Sequence, residues 1–330
     1  MASITLMNSM GLCVFSLILL WFAGVPHALL GQAPGQGDGG PRLASNGGTV
    51  QVAMKNVVYH FSQPISVHII HLQGTLTPTR PGAIVVFDDK NSFLLNLGSA
   101  EITISCNSLA EVMNQNVFSA ADAPIKNVTI ASKENQLIIK GEMHNQHLPF
   151  VLSGRLAVNA DGRIRFHAEH VKAAHLPVKG LLDLLGVDLA NLINTRKVQG
   201  VAVDKDDLIL DPQLILPPPH IRGKVTAVRL QGNDIVQVFG TPQASNFAAK
   251  ETGNYMAYRD SDLRFGKLIM DQADLTLLDM DPQDPFDFYL DHYKEQLVAG
   301  YTKTTPEFGL RVYTRDYNKL KKTVPARESK

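Results

Sequence analysis

The sequence predicts an α+β protein in which a long, twisted antiparallel sheet curls around one apolar helix. Three observations carry that expectation: extended stretches where apolar and polar residues alternate, a long hairpin built on an Asp-Gly turn, and a helix that is apolar on nearly every side. The hairpin and the helix adjoin, within Leu148 to Thr195.

Along the first strand of the hairpin Leu148, Phe150, Leu152, Leu156 and Val158 share one face, and Ser153, Arg155 and Asn159 share the other. Asn159-Ala160-Asp161-Gly162 supplies residues that tolerate a turn with positive φ. The return strand sets Ile164, Phe166 and Ala168 against Arg163, Arg165, His167 and Glu169. The helix, about Lys179 to Asn194, carries Leu181, Leu182, Leu184, Leu185, Val187, Leu189, Leu192 and Ile193. A surface helix needs an apolar stripe of roughly 100°, and this arc is far wider, so the helix must be covered from more than one direction. Two compatible arrangements do that: a core helix wrapped by the sheet, or a helix whose arc partly lines a groove for an apolar ligand such as a lipid chain.

The flanking sequence completes the organisation. Met10 to Val25 is apolar apart from Ser16, a length that suits a secretory signal better than a full bilayer span, although no lysine or arginine precedes it. Residues 1–31 are therefore expected to be a signal peptide, with an uncleaved membrane anchor as the alternative, and the chain is expected to be exported, to a periplasm or the medium. Residues 32–48, rich in Gly, Pro and Ser, form a linker. Residues 49–240 form the main α+β domain, 241–318 a C-terminal extension of it or a small subdomain, and 319–330 a disordered tail.

Within the main domain strands are expected over Ile65 to Thr77, Ala83 to Phe87 and Phe93 to Ser105. His68 and His71, three apart on a strand, then fall on opposite faces. Ser108-Leu109-Ala110-Glu111 has capping-box spacing and opens a helix running to Phe118. Three hairpins of similar pattern follow, over Ile125 to Gly141, Val198 to Leu210 and Lys224 to Gly240, with the prolines 217 to 219 forming a rigid connector between the last two. Further on, strand-like runs occur at Leu263 to Met270 and Ala273 to Met280. A helix is expected from Asp284, with Pro285 at its first position and Phe286, Tyr289, Leu290, Tyr293 and Leu297 along one side.

Composition narrows the function classes. Lysine plus arginine and aspartate plus glutamate both number 31, so no net field recommends nucleic acid as a partner. Cys106 has only Cys13 as a possible mate, and Cys13 lies in the N-terminal apolar run, so no internal disulfide is expected and Cys106 reads as a buried thiol. His144/His147 and His167/His170 have metal-like spelling, but on strands only His167 and Glu169 point the same way, which disfavours a metal site. Asp279, Asp281, Asp284 and Asp287 are the densest carboxylates; prolines 282 and 285 disfavour a calcium loop, and helix capping accounts for two of the four. Asn127-Val128-Thr129 spells a glycosylation acceptor. No nucleophile elbow, phosphate loop or dinucleotide fingerprint occurs, and neither a cofactor nor a catalytic residue is expected.

The order of a serine-initiated helix, a hairpin from Val128, the long hairpin LSGRLAVNADGRIRF, the leucine-rich helix after Pro177 and a further hairpin, over about 108–240, resembles the exported bacterial phospholipid-binding family that includes the mycobacterial lipomannan elongation factor. That family is itself similar to the tubular lipid-binding (TULIP) superfamily. The resemblance implies a TULIP-like sheet around a helix, an apolar tunnel for acyl chains, and no shared catalytic site. The expected function is thus non-enzymatic binding, extending to transport, of a phospholipid or fatty acyl ligand, with a membrane surface as a further partner. Phe150, Leu152, Leu156, Ile164, Phe166, Leu182, Leu185 and Leu189 are the expected lining. The alternatives are a structural envelope protein with a dry core and an envelope hydrolase with a site assembled in space.

Overall fold

A computed structural model describes residues 48–143, 147–173, 176–177, 198–241 and 252–320. The N-terminal apolar run, the leucine-rich helix with Leu182, Leu185 and Leu189, His144 and the C-terminal tail beyond Leu320 lie outside the described residues.

The fold is mostly antiparallel sheet, open and curved, with few helices. The first strands are β1 (Val50–His60), β2 (Ser66–Pro78), the short β3 (Val85–Val86) and β4 (Phe93–Ser105). Helix α1 (Cys106–Val112) and a π-helical turn (Met113–Val117) lead to β5 (Ile125–Lys133), β6 (Gln136–Met143), β7 (Leu148–Val158), β8 (Ile164–Ala173) and the short β9 (Leu176–Pro177). After β10 (Val201–Asp204) and β11 (Asp207–Leu210) comes α2 (Pro212–Ile215), one turn capped by the Asp211 side chain. Then follow β12 (Ile221–Arg222), β13 (Val225–Gln231), β14 (Asp234–Gly240), β15 (Tyr255–Arg259), β16 (Leu263–Phe265), β17 (Leu268–Met270), β18 (Asp274–Asp279) and β19 (Phe286–Tyr289). Helix α3 (Tyr293–Val298), β20 (Tyr301–Thr304), β21 (Leu310–Thr314) and α4 (Tyr317–Leu320) finish the described chain.

Two large sheets result. The first, eleven-stranded, runs β13-β14-β4-β2-β1-β15-β18-β21-β20, with β12 beside β4 and β19 beside β1. The second, seven-stranded, runs β10-β11-β8-β7-β6-β5, with β9 beside β8. A three-stranded sheet, β17-β16-β3, completes the set. The C-terminal segment is hydrogen-bonded into the middle of the larger sheet, because β15 pairs with β1 from Gln51 to Lys55. The triple proline is the crossing between sheets: it follows α2 and ends where the His220 carbonyl accepts from the Leu95 amide at 2.9 Å.

The long strands keep one face apolar only because their registers shift. Just before β2 Ile65 is buried, and on β2 the buried residues are Val67 and Ile69, then Leu72 and Leu76, so the inward set changes parity at Ile70. On β4 it changes at Gly98, from Phe93, Leu95 and Leu97 to Ala100, Ile102 and Ile104. The ladder between these strands slips once at Ile69/His71 and back at Gln73/Gly74, and the two slips compensate. Asn56, with φ of 53°, makes the matching change on β1 opposite Ile70. Without these bulges half of each strand would turn its aliphatics to water. Close backbone approach demands glycine nearby: a Cβ on Gly74 would lie 2.2 Å from the Asn96 carbonyl oxygen.

A further bulge marks the β7–β8 hairpin, between Ser153 and Gly154. Glu169 is the extra residue, so Ala168 and Val171 are both buried. A Cβ on Gly154 would sit 1.8 Å from the His167 carbonyl oxygen.

Several expectations are corrected. His68 and His71 share the outer face of β2, because the bulge at Ile70 falls between them; His68 bonds Asn56 Oδ1 through Nε2 at 2.7 Å, and His71 is exposed. His167 and His170 likewise share an outer face once Glu169 is bulged, and His167 Nδ1 is held by Asp207 Oδ1 at 2.7 Å. The first helix is capped by Ser105, whose side chain accepts from the Ser108 amide at 3.0 Å, so Ser108 lies inside the helix and Glu111 bonds Gln115 instead of reaching back. The helix expected from Asp284 is a strand through Tyr289; helix begins only at Tyr293, after one 3₁₀ turn. The reason is long-range: β15 leaves β1 at Lys55, and β19 takes up the vacated edge in parallel from Val57 to His60. Phe286 and Phe288 then alternate with Asp287 and Tyr289 in strand fashion.

Gly154→Val should cost about 3 kcal/mol of stability, the upper end for overpacking, since a backbone carbonyl must move. Gly98→Ala, whose Cβ would meet only the Gln73 carbonyl oxygen at 3.3 Å, should stay within about 1 kcal/mol. Urea unfolding of the two variants checks this, and equal losses would contradict the reading of Gly154.

Candidate functional site

The inward side chains of the two large sheets do not meet everywhere, and the described residues leave apolar cavities on the larger sheet, at the seam of the two sheets and between the smaller sheet and α1. The first lies on the inner face of the eleven-stranded sheet. Val67, Ile69 and Leu72 of β2, Ile102 and Ile104 of β4 and Phe239 of β14 form much of its wall. It has about 850 Å³ of atom-free space, its opening included, of which about 70 Å³ is wide enough for the centre of a water molecule. Phe87 and Phe288 line it too, and Phe87 packs edge-on against Tyr258, Phe265, Phe288 and Tyr293 with ring centroids 5.0 to 6.1 Å apart. This aromatic cluster joins the three-stranded sheet and α3 to the first cavity.

The second cavity, about 440 Å³ of atom-free space, lies at the seam of the two sheets. Ile104 and Ile235 face it from the larger sheet, and Leu137, Leu156, Ile164 and Leu210 from the smaller. The seam is closed by the Ser132 amide donating to Asn233 Oδ1 at 3.1 Å and the Val225 amide donating to the Gly162 carbonyl at 3.2 Å. The third, about 480 Å³, lies between the seven-stranded sheet and α1, among Met113, Phe118, Ile130, Phe150, Leu152 and Leu208. The helical segment is pinned there by Asn114, which donates from Nδ2 to the Val128 carbonyl at 2.8 Å and accepts from the Val128 amide at 2.9 Å. That side chain substitutes for the ladder partner lost at the β5 bulge, where Asn127, exposed and with φ of 55°, breaks the register.

These spaces stand in series. The first and second share Ile104, Leu216 and Gln237 as a common wall; the second and third share Leu109, Leu137 and Leu210. Of the expected lining residues, Phe150 and Leu152 face the third cavity, Leu156 and Ile164 face the second, and Phe166 is fully buried without facing any of the three. Leu182, Leu185 and Leu189 lie outside the described residues. The first cavity belongs to the N-terminal strands and to β14, β15 and β19, where no ligand-lining residue is expected from sequence.

Three side chains bring polar atoms into this apolar wall: the phenols Tyr59 and Tyr258 in the first cavity, and Gln237 in both the first and the second. Gln237 occupies an inward position of β14 between Ile235 and Phe239, paired with Ile102 across β4. It is 9% exposed and faces both the first and the second cavity. Among the described residues its side-chain amide makes no hydrogen bond, and its polar atoms keep contact with the cavity space instead of being sealed off. The sequence signal was present: in Ile235-Val-Gln-Val-Phe239 a glutamine stands where the alternation calls for an aliphatic.

The carboxylate-rich segment forms a separate cluster. Asp279, Asp281 and Asp316 bring oxygens within 4.8 Å of one another. Asp284 and Asp287 do not join them and do not start the helix expected from Asp284: Asp284 Oδ1 accepts from Lys319 Nζ at 2.8 Å, and Asp287 Oδ1 lies 2.5 Å from His60 Nε2 while its Oδ2 accepts from the Asn318 amide in the first turn of α4 at 3.2 Å. Lys319 Nζ also lies 2.7 Å from Asp316 Oδ2, so a fixed cation already offsets this charge. Asp316 is fully buried, and desolvation pushes its carboxyl up to about 6, against the opposing pull of Lys319 and the Asp287 amide. Burial raises Asp279 as well. Cys106 is a buried free thiol, pushed up to about 11 by desolvation.

No family model, curated protein or solved structure matches the chain. Among the described residues no helix is long and apolar enough to cross a membrane.

A carboxyl raised in the folded state holds its proton where the unfolded chain has lost it, between about pH 4 and 6. The stability it contributes is present at low pH and is lost as pH rises through 6. Asp316→Asn retains an oxygen for the Asp287 amide, so its melting temperature should fall less between pH 4 and pH 7 than that of the unaltered protein. Parallel thermal melts decide this, and identical declines would contradict it.

Proposed function

We propose that the protein binds the acyl chains of an amphiphile, a phospholipid or a fatty acyl lipid, in the series of apolar cavities, without catalysing a reaction on it. The single observation that carries this reading is that three apolar spaces with shared walls run from the inner face of the larger sheet to α1. Burial of each methylene is worth about 0.8 kcal/mol, so a twelve-carbon chain gains on the order of 10 kcal/mol before ordering costs. The order of helix, hairpins and long Asp-Gly hairpin supports a kinship with the exported phospholipid-binding family and its TULIP-like relatives. The N-terminal apolar run supports a place in the cell envelope, where a carrier of this kind would meet a membrane surface.

One observation favours a second reading, a structural protein with a dry core. The space open to the centre of a water molecule is only about 70 Å³ in the first cavity and 30 Å³ in each of the others. A guest must therefore part side chains that now nearly touch, as flexible linings such as Met54, Met256 and Met113 permit.

Purified protein extracted with organic solvent should yield lipid by mass spectrometry, and the delipidated protein should bind a fluorescent fatty acid saturably. Met256→Trp, which fills the first cavity, should weaken that binding at least tenfold while leaving the circular dichroism spectrum unchanged. Absence of lipid together with no saturable probe binding would favour the dry core.

A further inference from the structure

Gln237 gives the cavities a chemical preference as well as a shape. Among the described residues no charged side chain lines any of the three spaces, so an ionised head group finds no counter-ion from them and stays outside. At the wall between the first and second cavities, however, an amide stands with no hydrogen-bond partner among the described residues, and hydrocarbon lies on either side of it. The ligand that completes this arrangement is uncharged where it meets Gln237, carries a hydrogen-bond acceptor there, and continues as alkyl chain in both directions.

We infer that Gln237 donates a hydrogen bond from Nε2 to the ester carbonyl of the bound lipid, which makes the protein selective for ester-linked over ether-linked chains. An ester has the required form: its carbonyl accepts, it bears no charge, and carbon chains leave from both its acyl and its alkoxy side. An ether of the same length fills the same space but lacks the carbonyl oxygen, so it leaves the amide as it stands. Position supports this: Gln237 is flanked by Ile235 toward the second cavity and Phe239 toward the first, so it meets the middle of a guest and not its end. The inference rests on the lipid-binding reading and adds to it the class of lipid. Two sources supply the same chemistry, a glycerolipid ester and a long-chain alkyl ester without a head group.

The test uses two matched pairs on the delipidated full chain: dipalmitoyl phosphatidylcholine against its dihexadecyl ether analogue, and hexadecyl palmitate against dihexadecyl ether, each delivered in cyclodextrin and competed against the fluorescent fatty acid. Within one pair or both the ester should bind about tenfold more tightly, the worth of one buried hydrogen bond; the pair showing it identifies the source. Gln237→Leu should bring the ester down to the affinity of the ether and leave the ether unchanged. Gln237→Met, with the same reach, should do likewise and serves if the leucine variant misfolds. Equal affinities within both pairs for the unaltered protein, or an ester preference that survives in a folded variant, would overturn the role of Gln237 while leaving lipid binding intact. Failure of all four lipids to compete would overturn the lipid-binding reading itself.

Discussion

The constraint on which this structure depends is that very long strands must keep a single face apolar. A strand alternates strictly, so any extra residue turns every later side chain to the other side. β2 and β4, each thirteen residues long, meet this with opposed bulges at Ile70 and Gly98, and β1 follows with Asn56. Tight backbone passages at Gly74 and Gly154 accompany the shifts. The result is one inward surface that extends from the N-terminal strands to β14 and meets the smaller sheet at the seam.

A surface this large and curved does not fill itself. The aliphatics of β2, β4 and β14 line one side of the first cavity, the aromatic cluster around Phe87 borders it, and the crossing after α2 brings Leu216 to the wall it shares with the second. Dense packing normally removes such gaps; here they follow one another from the inner face of the larger sheet through the seam to α1, with little space open to a water molecule in each. Gln237 makes the same point in chemical terms. An unpartnered amide in a core is a cost without benefit, whereas the same amide beside a polar atom of a guest becomes a source of selectivity.

Much of the strand pattern was legible in the sequence because local alternation and turn chemistry agree there: the hairpins around Asn159-Gly162, Lys205 and Gly232 follow directly from it. What the sequence hid was set by distant partners. Asp284-Pro285 looks like a helix start, yet the open edge of β1 recruits Phe286 to Tyr289 as a strand. Ser108 has capping-box spacing, yet Ser105 supplies the cap because β4 ends there. Bulges add one residue without altering composition, so His68/His71 and His167/His170 changed sides. Of the residues expected as a lining, Phe150, Leu152, Leu156 and Ile164 face two of the cavities, because they follow directly from the alternation of the β7–β8 hairpin. The first cavity went unseen because its wall is assembled from segments far apart in the chain, from Met54 to Leu290.

These spaces are proposed to receive acyl chains. A crystal structure of the protein loaded with a phosphatidylcholine brominated at mid-chain tests this most directly, since bromine is located by anomalous scattering independently of the surrounding density. Bromine peaks inside the first or second cavity, with the chain passing Gln237, are the predicted result. Bromine confined to the protein surface, with all three cavities collapsed around their own side chains, would contradict it.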